Sequence, residues 1–480
     1  RLDLLDRLVE ALNAAGLRYC HWKGNFSLQR VLSGDKDFEL LVGRDDAGRA
    51  AEILRRLGFR LAAGETKGIG HYYGLDAGTG NLVHIHFYSR LITGGEPIET
   101  HWLPLEEMLL SETESADGVR VTRRTAELVI YVLRAFLRYG SPAQLTGWRP
   151  LPGGNSPELA WLLSGSNLAE VPELLCRYRV PVDERLFLEC LEVLAGPAPL
   201  ARRLWLSWKV YRRLRSWQLN STIRLLASYG LLLARLTGRG RGRRLALGGL
   251  VIAFIGPEAS GKSTLVADCR RWLGQVLVVH TVHAGKPPPT WFTWPAVLAV
   301  PLMRRLTPRQ RTTRRGRDPN RPGFSDLLFA IRAVALAWER RRLLRHARKL
   351  ASRGEVVLCD RYPSDNPGVP DSPQLIPATG RPGWWSAIWN FFVRLEAGLY
   401  ADIPEPDLVF RLRASVETLK ERNRARVKPD KESDDYIEAR HAAGLRWWRR
   451  QAPPVVEIDT EQPAADVLLR VKQAIWERLG

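Results

Sequence analysis

Long apolar segments are missing from this chain of 480 residues. No uncharged apolar run reaches the roughly 18 residues that a membrane-spanning helix needs. The longest candidate, residues 291–303, is shorter and contains Pro295 and Pro301. No signal-peptide pattern is visible either, although the sequence starts at Arg1 and leaves open whether residues precede it. We expect a cytoplasmic protein, with peripheral attachment to a membrane left open.

Cysteine and lysine are also scarce. The five cysteines show neither a disulfide framework nor metal-ligand spacing, which predicts reduced thiols in a cytosolic compartment. Lysine supplies 11 of the 72 basic residues and arginine the other 61. With 51 acidic residues, the formal net charge is +21. This charge fits phosphates, nucleic acid or an anionic membrane surface as partners, and it does not choose among them.

The chain divides into regions of different pattern, and we predict a multidomain α/β protein. Residues 1–105 alternate between helical and strand patterns, which is typical of an α/β layer. The helical patterns cover 2–15 and 47–57, and the strand patterns cover 18–22, 38–42 and 82–88. Residues 106–237 have mostly helical spacing, and the Gly- and Arg-rich segment 238–245 is typical of a linker. A further domain is expected over 246–480.

A phosphate-binding loop opens this last domain. A buried-strand pattern at 250–255 leads into GPEASGKST, and an amphipathic helix pattern follows at 265–273. This is the GxxxxGK[ST] motif in the strand–loop–helix context that it requires. The glycines let backbone amides turn toward phosphate oxygens, while Lys262 is expected on the β- and γ-phosphates and Ser263 on Mg²⁺. The predicted nucleotide-binding residues are Gly256, Pro257, Glu258, Ala259, Ser260, Gly261, Lys262, Ser263 and Thr264.

A second buried strand, within residues 354–363, ends at Asp360 and Arg361. An acid at the carboxyl end of a strand beside a phosphate loop can hold the metal ion or its water, so Asp360 is a predicted magnesium ligand together with Ser263. The adjacent Arg361 is predicted to bridge phosphates. We therefore expect Mg²⁺ as cofactor and ATP as phosphoryl donor.

In these segments residues 246–480 resemble the thymidylate kinase family of P-loop nucleoside monophosphate kinases. The resemblance also covers the strand and helix patterns at 406–413 and 415–422 and a final strand at 455–459. It implies a parallel sheet flanked by helices, and it places Glu258 on the acceptor sugar and Arg332 on the acceptor phosphate. It further implies a basic lid over the phosphates, formed by Arg422, Arg424, Arg426 and Lys428.

The acceptor side differs from the family pattern. The family's Gly-rich acceptor loop is replaced by residues 283–287, where Lys286 is the candidate contact, and the base-stacking aromatic position holds Leu328, with Phe329 beside it. Residues 364–385 have no counterpart. The resemblance still makes a nucleoside monophosphate similar to dTMP the first choice of acceptor. Because the acceptor side differs from the family pattern, a sugar or other hydroxyl is the second choice.

Two further alternatives stay open for the kinase half. A hydroxyl acceptor would need a general base, for which Glu258, Asp365 and Asp371 are the candidates. An ATP-gated binding protein without phosphoryl transfer belongs to a different functional class. If the second domain is a kinase of the thymidylate kinase type, its expected partner is a small-molecule phosphate acceptor. We do not expect nucleic acid as a partner.

The amino-terminal region resembles the nucleotidyltransferase superfamily. A glycine turn at Gly34 precedes a strand that carries Asp37 and Glu39 on one face, which could hold two metal ions for nucleotidyl transfer. His84 stands where the family places a third acid, and His84 with His86 could instead ligate a metal. We expect the fold without efficient nucleotidyl transfer, and a bifunctional nucleotidyltransferase-kinase is the alternative.

Residues 291–303 are apolar and tryptophan-containing, and residues 304–317 hold seven arginines and no acid. This pairing suits an anionic membrane interface. A buried kinase insertion with a solvated basic end fits the same pattern. The sequence does not give the oligomeric state.

Overall fold

The structure, a computed structural model, describes residues 1–63, 69–93, 101–139, 156–219, 242–288, 290, 324–366, 369, 371–378, 383–425, 433–444 and 446–479. The chain forms two compact units, Arg1–Arg241 and Gly242–Gly480, called here the first and second unit. The division falls within the predicted linker. The predicted membrane-facing segment 291–317 and the lid residues Arg426 and Lys428 lie outside the described residues.

The first unit is built on a mixed sheet. Its strands are β1 (Tyr19–His21), β2 (Phe38–Val42), β3 (Arg60–Ala63), β4 (Ile69–Leu75), β5 (Leu82–Tyr88), β8 (Thr113–Ala116) and β9 (Val119–Thr122), and β6 (Leu91–Thr93) and β7 (His101–Leu103) form a separate hairpin. Within this unit the strand order is β3-β4-β5-β2-β1-β9-β8. The β5–β2 and β1–β9 pairs are parallel and the other pairs are antiparallel.

Helices cover both faces of this sheet. They are α1 (Asp3–Ala14), α2 (Leu28–Leu32), α3 (Ala47–Arg56), α4 (Glu106–Ser111), α5 (Arg124–Tyr139), α6 (Pro157–Gly165), α7 (Val171–Arg177), α8 (Glu184–Ala195) and α9 (Leu200–Arg213). Short 3-10 turns cover Asn25–Ser27, Arg44–Asp46, Leu168–Glu170 and Leu214–Trp217. One core joins α1 to α3 with the sheet, and a second joins the sheet's other face to α4 through α9.

The predicted boundary near residue 105 does not separate two layers. Strands β8 and β9 lie beyond it, and β9 pairs with β1 through His21 and Val121. The cause is in the core: Trp22 and Leu41 of the sheet pack against the helices that follow residue 105. The helical region and the α/β region therefore share one hydrophobic core.

The second unit has a fully parallel sheet. Its strands are β11 (Val251–Ile255), β12 (Val279–His283), β13 (Val356–Asp360), β14 (Leu408–Arg413) and β15 (Val455–Asp459), preceded by the two-residue strand β10 (Arg244–Leu245). The order is β12-β13-β11-β14-β15. Strands β11 and β13 are buried at every position, as expected for a parallel sheet that is covered on both faces.

The helices of the second unit lie on both faces of this sheet. They are α10 (Lys262–Leu273), α11 (Phe324–Ala351), α12 (Trp384–Ala401), α13 (Val416–Ala425), α14 (Asp434–Gly444) and α15 (Ala464–Arg478). Alternate residues of β11 pack with Ala337 and Leu344 of α11. Helices α10 and α15 meet each other through Trp272 and Trp476. Among the described helices, we find none that combines the length and the apolar character needed to cross a bilayer.

Candidate functional site

The phosphate loop connects β11 to α10 at the carboxyl edge of the parallel sheet. Its backbone has positive φ at Gly256 (149°), Ala259 (63°) and Gly261 (88°). A Cβ on Gly256 would lie 2.8 Å from the carbonyl oxygen of Leu412. Glycine is therefore required there both by conformation and by space. The loop closes against the start of α10, where backbone amides and the helix dipole favour an anion.

Lys262 is held at this loop. Its Nζ donates to the carbonyl oxygens of Gly256 (3.1 Å) and Pro257 (2.6 Å) and lies 3.4 Å from Ser260 Oγ. The residue is 7% exposed, and a buried ammonium needs such acceptors. The predicted phosphate-binding lysine is thus oriented into the curve of the loop.

Ser263 and Asp360 meet, as expected for a shared magnesium site. Ser263 Oγ donates to Asp360 Oδ2 at 2.6 Å. Their proximity follows from the fold, because β13 pairs with β11 in parallel and Asp360 is aligned with Phe254 just before the loop. A hydroxyl and a carboxylate oxygen are hard donors that suit Mg²⁺. The donor set therefore fits the metal that the sequence predicts.

Arg361 follows directly and adopts a positive φ of 74°. Its guanidinium donates to Glu258 of the phosphate loop and lies 3.4 Å from Asp371 Oδ2. Burial alone would lower the pKa of Arg361, but the charges of Asp371 and Glu258 outweigh it and raise that pKa. The group stays cationic beside the loop, where it can contact phosphate oxygens.

Arg340 of α11 belongs to the same cluster, and the sequence analysis missed it. It is 3% exposed, and it donates to Asp371 Oδ1 (2.7 Å), to the Ala284 carbonyl (2.9 Å) and to the Tyr400 hydroxyl (2.6 Å). Arg332, which was predicted to hold the acceptor phosphate, is exposed on the same helix. Arg332 and Arg340 are eight positions apart in the sequence, which is about 12 Å along the helix axis.

The other predicted acceptor residues lie in different surroundings. Phe329 is half-buried and packs against the apolar cluster that contains Leu375 and Trp389. Lys286 is exposed on the turn that follows β12. Its backbone amide donates to the His283 carbonyl at 3.2 Å. Of the predicted acceptor residues, Glu258 contacts Arg361 directly. Phe329 packs in a separate apolar cluster.

The predicted lid residues Arg422 and Arg424 lie near the end of a helix that packs on the phosphate loop. Ala259 shares a buried apolar cluster with Leu419 of α13 and Ile437 of α14. On α13, Arg422 donates to the carbonyl (2.7 Å) and hydroxyl (3.1 Å) oxygens of Thr460, and Arg424 forms an ion pair with Asp434. The helix that leads toward Arg426 is thus anchored next to the loop.

The candidate general bases are all bound to arginines. Asp365 accepts from Arg449 at 2.7 Å, Asp371 is shared by Arg340 and Arg361, and Glu258 is paired with Arg361. The segment 364–385, which has no counterpart in the family pattern, supplies both Asp365 and Asp371. Its backbone is fixed in part by Glu396, which accepts from the amides of Gln374 and Leu375.

The amino-terminal candidates are also close together. Asp37 lies 2.9 Å from His84, and Glu39 lies 3.1 Å from His86 and 3.0 Å from Lys23. Burial acts to raise the pKa of Glu39, yet Lys23 and His86 hold it well below its usual range. Burial lowers the pKa of Lys23 to about 8.

This corner borders a cleft of about 630 Å³, whose lining includes Lys23, Lys36, Asp37, Arg134 and Arg138. Lysines from the segments beside β1 and β2 and arginines from α5 therefore line the same cleft of the first unit.

Comparison with known proteins finds distant similarity over part of the chain. No protein-family model matches the chain. The chain is 25% identical over 237 residues to the uncharacterized ATP-binding protein YghS of Escherichia coli (strain K12), covering 48% of this chain and 94% of that protein. The solved structure of deoxyadenosine kinase from M. mycoides with bound dATP is similar at 15% identity and a TM-score of 0.29, covering 46% of this chain and 97% of that one. With similarity this distant, the assignment of function rests on the geometry of the chain's own residues.

Proposed function

We propose that the second unit is an ATP-dependent phosphotransferase that moves the γ-phosphoryl group of ATP to a small acceptor. The observation that carries this proposal is the meeting of Lys262, the Ser263–Asp360 pair at 2.6 Å and Arg361 at one edge of a parallel sheet. These residues supply the cation, the metal donors and the second phosphate contact that phosphoryl transfer uses. The similarity to a protein named as ATP-binding supports ATP as the donor.

In this proposal the loop, Lys262, the Ser263–Asp360 pair and Arg361 each have a separate role in the transfer. The loop amides bind the phosphates, and Lys262 exchanges its contacts with Gly256 and Pro257 for phosphate oxygens. Mg²⁺, when bound by Ser263 and Asp360, neutralises charge on the phosphates. An acceptor oxygen forms a bond to the γ-phosphorus while the bond to the β,γ-bridging oxygen breaks and ADP leaves. Arg361 stabilises the charge that the transferring oxygens carry at that moment.

The lid arginines complete this arrangement in the proposal. Helix α13 is packed against Ala259 and carries Arg422 and Arg424, so these two lie on a helix next to the phosphate loop; Arg426 is assigned to the lid from the sequence alone. Guanidinium groups that close over the phosphates would exclude water and add charge stabilisation in the transition state. This role makes them contributors to turnover more than to ground-state binding.

We propose a nucleoside monophosphate, with a dTMP-like molecule as first choice, as the acceptor. Its phosphate oxygen is already a nucleophile and needs no base, which agrees with Glu258, Asp365 and Asp371 all being bound to arginines. Arg340 and Arg361 offer guanidinium groups to an acceptor phosphate. A hydroxyl acceptor is the alternative, and it would require one of these carboxylates to leave its arginine.

A panel of acceptors tests both parts of the proposal. The full chain would be incubated with γ-labelled ATP, Mg²⁺ and nucleoside monophosphates, nucleosides or sugars, and labelled products would be separated. We expect transfer to a monophosphate and its loss in Lys262→Ala. Lys349→Ala, which changes an exposed lysine of α11, is the matched control. ATP binding without a labelled product in any class would favour the ATP-gated binding protein instead.

A further inference from the structure

Three histidines meet on the sheet of the first unit. His71 lies on β4, and His84 and His86 lie on β5, where the antiparallel register places His71 opposite His86. One ligand nitrogen from each lies within 4.8 Å of the other two. His71 Nδ1 and His84 Nε2 are 3.1 Å apart. Ligands of a tetrahedral ion with bonds of about 2.0–2.1 Å are about 3.3 Å apart, so this spacing is that of neighbouring metal ligands.

Two carboxylates hold the outer sides of these rings. Asp37 Oδ1 lies 2.9 Å from His84 Nδ1, and Glu39 Oε1 lies 3.1 Å from His86 Nδ1. When each Nδ1 donates to its carboxylate, the lone pair of the ring is on Nε2, which in His84 lies 3.1 Å from His71 Nδ1. Metal-binding histidines characteristically use their second nitrogen in this way, because it fixes both the tautomer and the ring orientation.

The surroundings also keep the rings in place. His71 is 3% exposed, and the Tyr73 ring stacks on His84 at 4.3 Å between centroids. Asp37 Oδ2 lies 3.5 Å from His86 Nε2, and Asp37 borders the cleft of the first unit. The three nitrogens are therefore preorganised, and a fourth ligand can come from the side of Asp37 and the cleft.

We propose that His71, His84 and His86 form a mononuclear site for a divalent transition-metal ion of the Zn²⁺ type. The ligands are His71 Nδ1, His84 Nε2 and His86 Nε2, with water in the fourth position. Imidazole donors select such ions over Mg²⁺. The proposal gives Asp37 and Glu39 a different role from that of a two-magnesium site: they orient the histidine ligands. This proposal does not depend on the proposed phosphotransferase function, because the three histidines lie in the first unit. Ser263 and Asp360 lie in the second unit and offer only oxygen donors.

Metal analysis of the full chain tests the site. Tag-free protein would be stripped with a chelator, incubated with Zn²⁺, desalted and analysed for metal, with affinity measured by chelator competition. We expect one equivalent of Zn²⁺ that excess Mg²⁺ does not displace. His84→Ala and His71→Ala should each lose it, whereas His280→Ala should retain it. His280 is the matched control because it also contacts a carboxylate, Glu355 at 2.5 Å, but lies in the second unit.

Two measurements on the unaltered chain and one on a conservative variant test the site even if an alanine variant folds poorly. In the unaltered chain, Co²⁺ should give the visible absorption of a four-coordinate nitrogen site and Zn²⁺ should raise the unfolding temperature. Asp37→Asn should weaken Zn²⁺ binding by about 10–100-fold, as loss of an outer carboxylate does. Substoichiometric metal in the unaltered chain, or full Zn²⁺ binding in folded His84→Ala, would overturn the proposal.

Discussion

Arg361 offers a clear test of the proposed phosphotransfer site, because its proposed catalytic contribution and its structural contribution can be separated. Replacing it with alanine removes the guanidinium from Glu258 and Asp371. Asp371 keeps Arg340 at 2.7 Å, so it is not left without a cation. We expect Arg361→Ala to be folded and almost inactive.

The two free-energy effects differ in size. Loss of one partner from half-buried acceptors costs about 1–2 kcal/mol of stability, which is a few degrees in Tm for a unit of this size. A domain that starts at 5 kcal/mol or more then stays about 99% folded at 25 °C. Loss of a preorganised donor to the transferring phosphoryl group costs about 2.7–4 kcal/mol, or roughly 10²–10³ in kcat.

Arg348→Ala is the matched control. Arg348 donates to both carboxylate oxygens of Asp407 at 2.9 Å, so its loss should lower Tm by a similar amount. Its role is to hold α11 to the start of β14, so kcat should change little. The assay is initial-rate kinetics with the best acceptor of the panel, alongside thermal unfolding. Equal losses of kcat in the two variants, in proportion to Tm, would refute a catalytic role for Arg361.

Three other predictions follow from the described contacts. Replacing Arg424 and Arg426 with alanine together should lower kcat more than it raises the KM for ATP, because the lid acts mainly in the transition state; an effect on KM alone would indicate a plain electrostatic patch. Glu127 of α5 is buried and accepts hydrogen bonds from the backbone amides of Gly24 and Asn25. Burial outweighs these bonds and raises the pKa of Glu127 to about 7, so the stabilisation from its protonated form is complete below about pH 4.5 and is lost as pH rises through 7. Glu127→Gln should remove this pH dependence, worth about 3 kcal/mol, from urea unfolding curves, and an unchanged curve would contradict the assignment. Finally, the full chain should transfer nucleotides from ATP with Mg²⁺ poorly or not at all, since His84 stands where the resemblance places a carboxylate; robust transfer that Asp37→Asn abolishes would show this prediction wrong.

The sequence predicted those parts of the site that are contiguous with strand ends. Asp360 ends a buried strand and Arg361 follows it, Lys262 and Ser263 lie in the loop–helix motif after another buried strand, and parallel strands bring their carboxyl ends to one edge. Strands β2 and β5 occur over the residues predicted, since their alternation or apolar runs are uninterrupted. The local sequence pattern is therefore sufficient to predict a site residue that lies at the end of a regular strand or at the start of a helix.

The residues that were missed depend on tertiary packing. Arg340 lies in a run of basic residues on α11, and only burial against Ala284 and Tyr400 distinguishes it from its neighbours. Asp371 was predicted only as a candidate general base, and its pairing with Arg340 and Arg361 was not predicted because it lies in a Gly- and Pro-rich segment without periodicity. Strand β4 was not predicted because Gly70 and Gly74 interrupt its pattern, and His71 was missed with it.

If the second unit catalyses the proposed transfer, the position of Asp371 between Arg340 and Arg361 has a consequence for how its two substrates influence each other. An acceptor phosphate that takes a hydrogen bond from Arg340 competes with Asp371 for it, and Asp371 is then free to draw closer to Arg361. A nucleotide that engages Arg361 shifts the same carboxylate toward Arg340. Because a free energy of coupling is reciprocal, the affinity for acceptor depends on whether nucleotide is present, and to the same extent in the opposite direction. One shared carboxylate thereby makes the occupancy of each substrate site sensitive to the other.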